Sequence, residues 1–353
     1  MGKIGVVIVD DSALIRHLLT DILSSDPDIN VLGAAADPYQ AREVIRNTNP
    51  DVITLDVEMP KMDGLSFLEK IMRLRPTPVV MISSLTQKGA DVTLQALQLG
   101  AVDYISKPKA DLASGIEQLS LEIIKKVKTA SKANLSARHT ASHAKTEIIK
   151  TRGYNSTEKI IVIGASTGGV EAISYILSEM PADCPAIAIV QHMPEHFTKS
   201  FAERLDETVA PRVTEAKDGV RMLPGHVYIA PGDQHMIIAR SGANYICRLE
   251  NGPPVSGHKP SVDHFFHSVV GNVGANAIGV ILTGMGKDGA EGLLAMRQAG
   301  AKTIGQDEAS STIYGMPAVA YEIGAVETQV SLSEIAKVTL ELCGADRVRA
   351  IRV

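Results

Sequence analysis

Short apolar runs alternate with stretches of helical period along most of the chain. In the first third the runs fall at 4–9, 29–34, 52–55, 79–82 and 102–105, and all are dominated by Val, Ile, Leu and Ala. Runs of this length suit strands covered on both faces. Helical patterns lie between them, as at 13–24 and 64–73. Five strands with intervening helices predict a doubly wound parallel sheet. The rhythm then fails. Residues 125–158, "KKVKTASKANLSARHTASHAKTEIIKTRGYNSTE", are rich in Ser, Thr, Ala and Lys and poor in large apolar side chains. Such a stretch cannot bury a core and reads as a linker, helical at its start. The α/β rhythm resumes at Ile160, with strands near 186–190, 227–230, 237–239, 277–282 and 302–306. Gly and Pro crowd residues 219–260, which predicts a small antiparallel excursion inside a second, mainly parallel α/β domain. The pattern thus divides the chain into a domain over 1–125, a linker over 126–157 and a domain over 158–353.

Composition narrows the class. A chain of 353 residues is long enough for two domains, and 45% hydrophobic with 21% charged residues is ordinary globular material. A net charge of -5 gives no reason to expect nucleic acid. The second domain is also far too large for a helix-turn-helix and shows no basic recognition helix. Cys184, Cys247 and Cys343 are scattered and odd in number, which points to a reducing compartment without a disulfide framework or zinc cluster. The opening "MGKIGVVIVDDS" has only a short apolar run before two aspartates, and no segment approaches 18 uninterrupted apolar residues. The expectation is a soluble, cytoplasmic protein without direct membrane insertion.

Charged residues gather at the predicted strand ends of the first domain. Asp10 and Asp11 follow the first strand, Asp56 the third, Ser83 and Ser84 the fourth, and Lys107 the fifth, before Pro108. Ligands of such sheets bind beyond the carboxyl ends of the strands. Three carboxylates crowded there repel one another unless a cation sits among them, and a hard, oxygen-seeking Mg²⁺ fits. A carboxylate beside Mg²⁺ can attack a phosphoryl group, with Lys107 pairing with the new phosphate and Ser83 hydrogen-bonding to it. Taken singly, each of these residues could equally be a surface acid or a helix cap. The constellation resembles the receiver domain of two-component response regulators, over about residues 3–125. The resemblance implies a flavodoxin-like fold, Asp56 as phospho-acceptor, Asp10 and Asp11 as metal-site acids, Ser83 as switch hydroxyl, Lys107 as the partner lysine, and a cis bond before Pro108.

The second domain opens with "IIVIGASTGGVEAI". Its Gly164-Ala165-Ser166-Thr167-Gly168 departs from a dinucleotide turn, because Ser166 stands where the backbone must approach a pyrophosphate. No Lys follows, so it is not a P-loop. It does fit G-x-S-x-G, the strand-to-helix elbow that exposes a serine nucleophile, although the pentapeptide alone is also a plain turn. A base and an orienting acid are then needed. His192 ends the next strand, "AIAIVQH", and so reaches the same sheet edge, whereas His196 lies further on. His17, His264 and His267 fall in predicted helices, His139 and His143 in the linker, and His226, His235 and His258 in the Gly/Pro-rich middle. "ILTGMGKDGA" supplies a third strand, a compact loop with Gly284, Gly286 and Gly289, and Asp288. That loop could bring backbone N–H groups to an oxyanion, while Asp288 could instead cap the helix that follows. Asp233 and Asp263 are weaker candidates for the acid.

In order, "GASTGG", "QHMP", "LPGHVYIAPGD", "GPPVSGHKPSVDHFF" and "ILTGMGKDGA" resemble the catalytic domain of the chemotaxis protein-glutamate methylesterase/glutaminases, CheB, from about residue 158 to near the C-terminus. The resemblance implies Ser166, His192 and Asp288 as a triad, with the Met285 N–H at the oxyanion. It implies phosphorylation-activated hydrolysis of glutamyl methyl esters and deamidation of glutamines. The substrate would be methyl-accepting chemoreceptor helices and the phosphodonor a chemotaxis histidine kinase, with Mg²⁺ for phosphorylation and no cofactor for the ester reaction. It also implies that the unphosphorylated receiver packs over the active-site edge. From the residues alone a rival stands: a response regulator whose second domain only binds a partner, Ser166 being a structural turn.

Overall fold

The computed structural model describes residues 2–59, 62–83, 87–107, 116–136 and 159–344. Two compact units divide the chain, Met1–Leu135 and Ser136–Val353.

In the first unit β1 (Ile4–Val9), β2 (Ile29–Ala35), β3 (Val52–Asp56), β4 (Val79–Ser83) and β5 (Asp103–Ser106) form one parallel sheet in the order β2-β1-β3-β4-β5. The helices are α1 (Ala13–Ser24), α2 (Pro38–Thr48), α3 (Gly64–Leu74), α4 (Gln87–Leu99) and α5 (Ile116–Ala130). Local chemistry starts three of them: Ser12, Asp37 and Asp63 accept backbone N–H groups of the first turns of α1, α2 and α3, and Pro38 sits where its missing N–H costs nothing. Val6, Ile8, Ile29, Val52, Val80, Ile82 and Ile105 make the sheet's share of this core. Val127, Ala130, Ala133 and Leu135 still pack on it. The strand order reverses direction at β1, so the crevice for a ligand lies beyond the ends of β1 and β3.

The second unit is built on a seven-stranded parallel sheet. Its strands are β6 (Ile160–Ala165), β7 (Ala186–Gln191), β8 (Arg212–Glu215), β9 (His226–Ile229), β12 (Ala277–Ile281), β13 (Lys302–Gln306) and β14 (Thr328–Val330). They lie in the order β14-β13-β12-β6-β7-β9-β8. The antiparallel excursion is a hairpin of β10 (His235–Ser241) and β11 (Asn244–Glu250). Helices α6 (Gly169–Ser178), α7 (Glu195–Thr208), α8 (Val262–Asn272), α9 (Ala290–Gln298), α10 (Met316–Glu322) and α11 (Leu332–Gly344) complete it. β8, β11 and β14 are strands that the hydrophobic pattern missed. β8 and β14 are 4 and 3 residues long, and β11 has only one fully buried residue, Cys247, so none makes an apolar run.

No described helix is long and apolar enough to cross a membrane. The peptide bond before Pro108 and the linker histidines His139 and His143 lie outside the described residues.

Candidate functional site

In the first unit Asp10 follows β1, Asp56 closes β3 and Lys107 follows β5, so the sheet order alone brings them together. Lys107 Nζ stands 2.8 Å from Asp56 Oδ2 and 3.3 Å from Asp10 Oδ2. Asp10 and Asp56 are buried, whereas Asp11 is exposed. Asp10 Oδ1 accepts the Ser12 N–H at 2.8 Å, and Asp56 Oδ1 accepts the Glu58 N–H at 3.3 Å. The loop after β3 folds back tightly: the Gly64 N–H donates to Val57 O, and a Cβ on Gly64 would stand 2.1 Å from Asp56 O. Ser83 closes β4 and is buried, with Thr93 Oγ1 donating to its hydroxyl at 2.7 Å.

The charges do not balance. Carboxylate oxygens of Asp10, Asp11 and Asp56 all lie within 4.8 Å of one another, with one ammonium beside them. Burial pushes the Asp56 carboxyl up to about 6, and the charge of Asp10 adds to that against the opposing pull of Lys107. Burial likewise raises Asp10. A divalent cation would relieve this, and a set of hard carboxylate oxygens fits Mg²⁺.

In the second unit three neighbouring strands, β12, β6 and β7, end at one edge and carry Asp288, Ser166 and His192 just beyond it. The β6–α6 turn is as tight as its composition suggests. Gly168 has φ of 80°, and a Cβ there would stand 2.6 Å from Thr312 Cβ. Ser166 is half-buried, and its N–H donates to Thr283 O at 3.1 Å. The buried Gln191 side chain donates through Nε2 to Ser166 O (2.9 Å) and His192 O (3.1 Å), tying the two turns together. Gly284 lies directly against the serine, where a Cβ would stand 2.8 Å from Ser166 Cβ and 2.4 Å from Met316 Sδ. Met285 follows it, before Gly286 with φ of 89°.

His192 and Asp288 are joined: Nε2 and Oδ2 are 2.8 Å apart. With Nε2–H donating there, Nδ1 is the basic nitrogen, and among the described residues this buried atom has no hydrogen-bond partner, Ser166 included. Asp288 does not cap the helix that follows it, since the N-cap of α9 is Gly289 and no side chain caps it. Instead it receives the start of α8. Its Oδ2 also accepts the Val262 N–H (2.8 Å), while Oδ1 accepts the Ser261 hydroxyl (2.9 Å) and the Asp263 N–H (3.0 Å). Burial alone would raise this carboxyl. The hydrogen bond and charge of His192 outweigh it, helped by the Asp263 and Val262 N–H groups, and hold it down at about 2. A helix N-terminus is a natural place for an anion. The helix can approach because Gly164 and Gly289 lack side chains: a Cβ at either would stand 2.2 or 2.4 Å from Val262 Cγ1.

The other candidates lie elsewhere. Asp263 accepts the Gly292 N–H and the Ser256 hydroxyl, bracing α8. His264 pairs with Glu250, His17 with Asp21, and His196 is exposed on α7. Two features escaped the sequence reading. The α8 N-terminus that holds Asp288 is signalled locally only by its Ser261 cap. The ring of His258 stacks on His192, with centroids 3.9 Å apart.

Residues 161–339 match the family described as CheB methylesterase, and residues 6–117 match the response regulator receiver domain. A protein-glutamate methylesterase/protein-glutamine glutaminase 2 of Xanthomonas oryzae pv. oryzae is 55% identical over 352 residues, covering 98% of both chains. A protein of Methylobacillus flagellatus with the name protein-glutamate methylesterase/protein-glutamine glutaminase is 55% identical over 354 residues, covering 99% of both. The crystal structure of the Thermotoga maritima CheB methylesterase catalytic domain superposes with a TM-score of 0.52 at 36% identity, over 53% of this chain and all of that one (100%).

Proposed function

The chain belongs to the CheB methylesterase family and carries a receiver domain ahead of the esterase domain, and on that premise we propose how its residues perform the reaction. The enzyme hydrolyses glutamyl methyl esters of chemoreceptors to glutamate and methanol, and deamidates receptor glutamines, under control of receiver phosphorylation. The observation that carries the residue assignment is the His192–Asp288 pair at the sheet edge that also bears Ser166.

Ser166 Oγ attacks the ester carbonyl carbon, and its proton passes to His192 Nδ1. Asp288 holds the Nε2–H and offsets the charge of the imidazolium. The Met285 N–H, in the loop seated on Ser166, stabilises the oxyanion. Collapse of the tetrahedral adduct breaks the bond to methoxide, which leaves as methanol with the proton from His192. For a glutamine substrate the leaving group is ammonia. Water, deprotonated by His192, then attacks the acyl-serine ester and releases glutamate, returning the proton to Ser166.

In the receiver, Asp10, Asp11 and Asp56 would hold Mg²⁺, which when bound shields the carboxylates from an incoming phosphoryl group. Asp56 forms the new P–O bond as the donor's bond breaks, Lys107 pairs with the phosphoryl oxygens, and Ser83 exchanges Thr93 for them. The substrate is the chemoreceptor helix carrying the glutamyl side chain, and the phosphodonor a chemotaxis histidine kinase.

Ser166→Ala tests the assignment. Methanol release from methylated receptor should fall by on the order of 10³-fold or more, with the melting temperature unchanged, because a half-buried hydroxyl leaves no large cavity. Near-normal release would remove Ser166 from catalysis and favour the rival in which the second domain only binds a partner.

A further inference from the structure

Asp288 grips one edge of the His192 ring through a single hydrogen bond. With Cβ tethered to the backbone, one such bond fixes the far end of the ring but leaves its plane free to rock about the line from Cβ to Nε2. The plane is covered by His258, whose ring lies 3.9 Å from that of His192, centroid to centroid, at 9° between planes.

His258 is presented by a built turn. Val255 and His258 exchange backbone hydrogen bonds of 3.0 and 2.9 Å across Ser256 (φ 52°) and Gly257 (φ 80°). Two successive positive φ values between a closed pair are the mark of a type I′ hairpin. The hairpin is tied down twice. The Ser256 hydroxyl donates to Asp263 Oδ2 at 3.0 Å. Buried His235 bridges its two ends, donating through Nε2 to Pro253 O (3.0 Å) and accepting the Ser261 N–H at Nδ1 (3.2 Å). Ser261 and Asp263 are the same residues that bond Asp288. One helix start therefore anchors both what holds the edge of His192 and what holds its face. The ionisable groups on the elements around the stack are His258 itself and Lys259 on its turn, Lys287 and Asp288 on the loop after β12, Asp263, His235, His264 with its partner Glu250, and Glu195 and His196 at the start of α7.

We infer that His258 is a positioning residue for the ester reaction: its ring fixes the plane of His192, and with it the direction in which Nδ1 must take up the Ser166 proton, and its π face favours the imidazolium formed during proton transfer. This rests on the triad reading above.

The test uses the full chain and methylated receptor, comparing His258→Leu, His258→Ala and His258→Phe, with Ser166→Ala as control. Leu and Ala should lower kcat by about 10- to 100-fold and leave KM within about twofold, because substrate contacts are untouched. The acid limb of the pH–rate profile should move to lower pH, because the imidazolium loses a favourable neighbour. Phe keeps a flat π face, and should return kcat to within about threefold of the parent and restore the limb. Unchanged kcat and pH profile in Leu and Ala, or Phe no better than Leu, overturns the inference while Ser166→Ala remains inactive. Activity surviving in Ser166→Ala overturns the triad reading and this inference with it. Should Ala melt early, the Phe–Leu comparison decides, because both fill the space and only one is flat.

Discussion

At the scale of single residues, Asp288 is heavily committed. Four donors converge on its two oxygens. An Asn there has one acceptor oxygen and turns an NH₂ towards backbone N–H groups, so it cannot keep the geometry that a lone His–Asp pair would tolerate. Asp288→Asn should cost up to about 10⁴-fold in methanol release and, unlike Ser166→Ala, about 2–3 kcal/mol of stability, read from urea midpoints. The lowered carboxyl also sets a sign. Its folded value of about 2 lies below the ordinary 3.8, so its stabilisation is complete above pH 4 and drains away as pH falls through 2. Asp56 has the opposite sign. Its folded value of about 6 lies above 3.8, so the metal-free receiver loses stability as pH rises from 4 through 6. Added Mg²⁺ should restore most of that loss at pH 7 and little at pH 4, in calorimetry with and without chelator. Asp56→Asn should abolish the difference.

At the scale of elements, glycines let backbones and helices approach Ser166 and Asp288 closely. Gly284→Ala would press a methyl against Ser166 Cβ and Met316 Sδ at 2.8 and 2.4 Å. Overpacking of this kind costs about 1–3 kcal/mol, but it acts on the turn that carries Ser166, the nucleophile proposed above. Activity should therefore fall by about 10²-fold while the fold persists, measured as methanol release beside a melting curve. An activity loss no larger than the stability loss explains would mean that the loop only fills space.

At the scale of the whole molecule, two units with separate cores, each with its own site, make regulation a matter of access or of recruitment. A fragment beginning near Thr157 should release methanol faster than the unphosphorylated full chain at equal concentration. Asp56→Asn in the full chain should keep basal activity and lose its response to a small phosphodonor. A fragment no faster than the full chain would rule out occlusion and leave positive activation or recruitment.

Much of this was determined by the sequence alone. Apolar runs set all five strands of the first parallel sheet and five of the seven in the second, missing the short edge strands β8 and β14. Because the carboxyl ends of parallel strands share one edge, the residues following them, Asp10, Asp56 and Lys107 in one unit and Ser166, His192 and Asp288 in the other, could be grouped without coordinates. The small residues around Ser166 and the glycines before Asp288 were legible because close approach leaves a mark on composition. Only the tertiary structure decided what each group touches. That Asp288 caps α8, whose first residue lies 26 positions earlier, depends on how β12 sits beside β6 and on the space at Gly164 and Gly289, which no local pattern encodes. The stack of His258 on His192, 66 positions apart, depends on a hairpin anchored by His235 and Asp263. Periodicity reports which face of an element is buried; the partners on that face are set by chain segments far away in sequence.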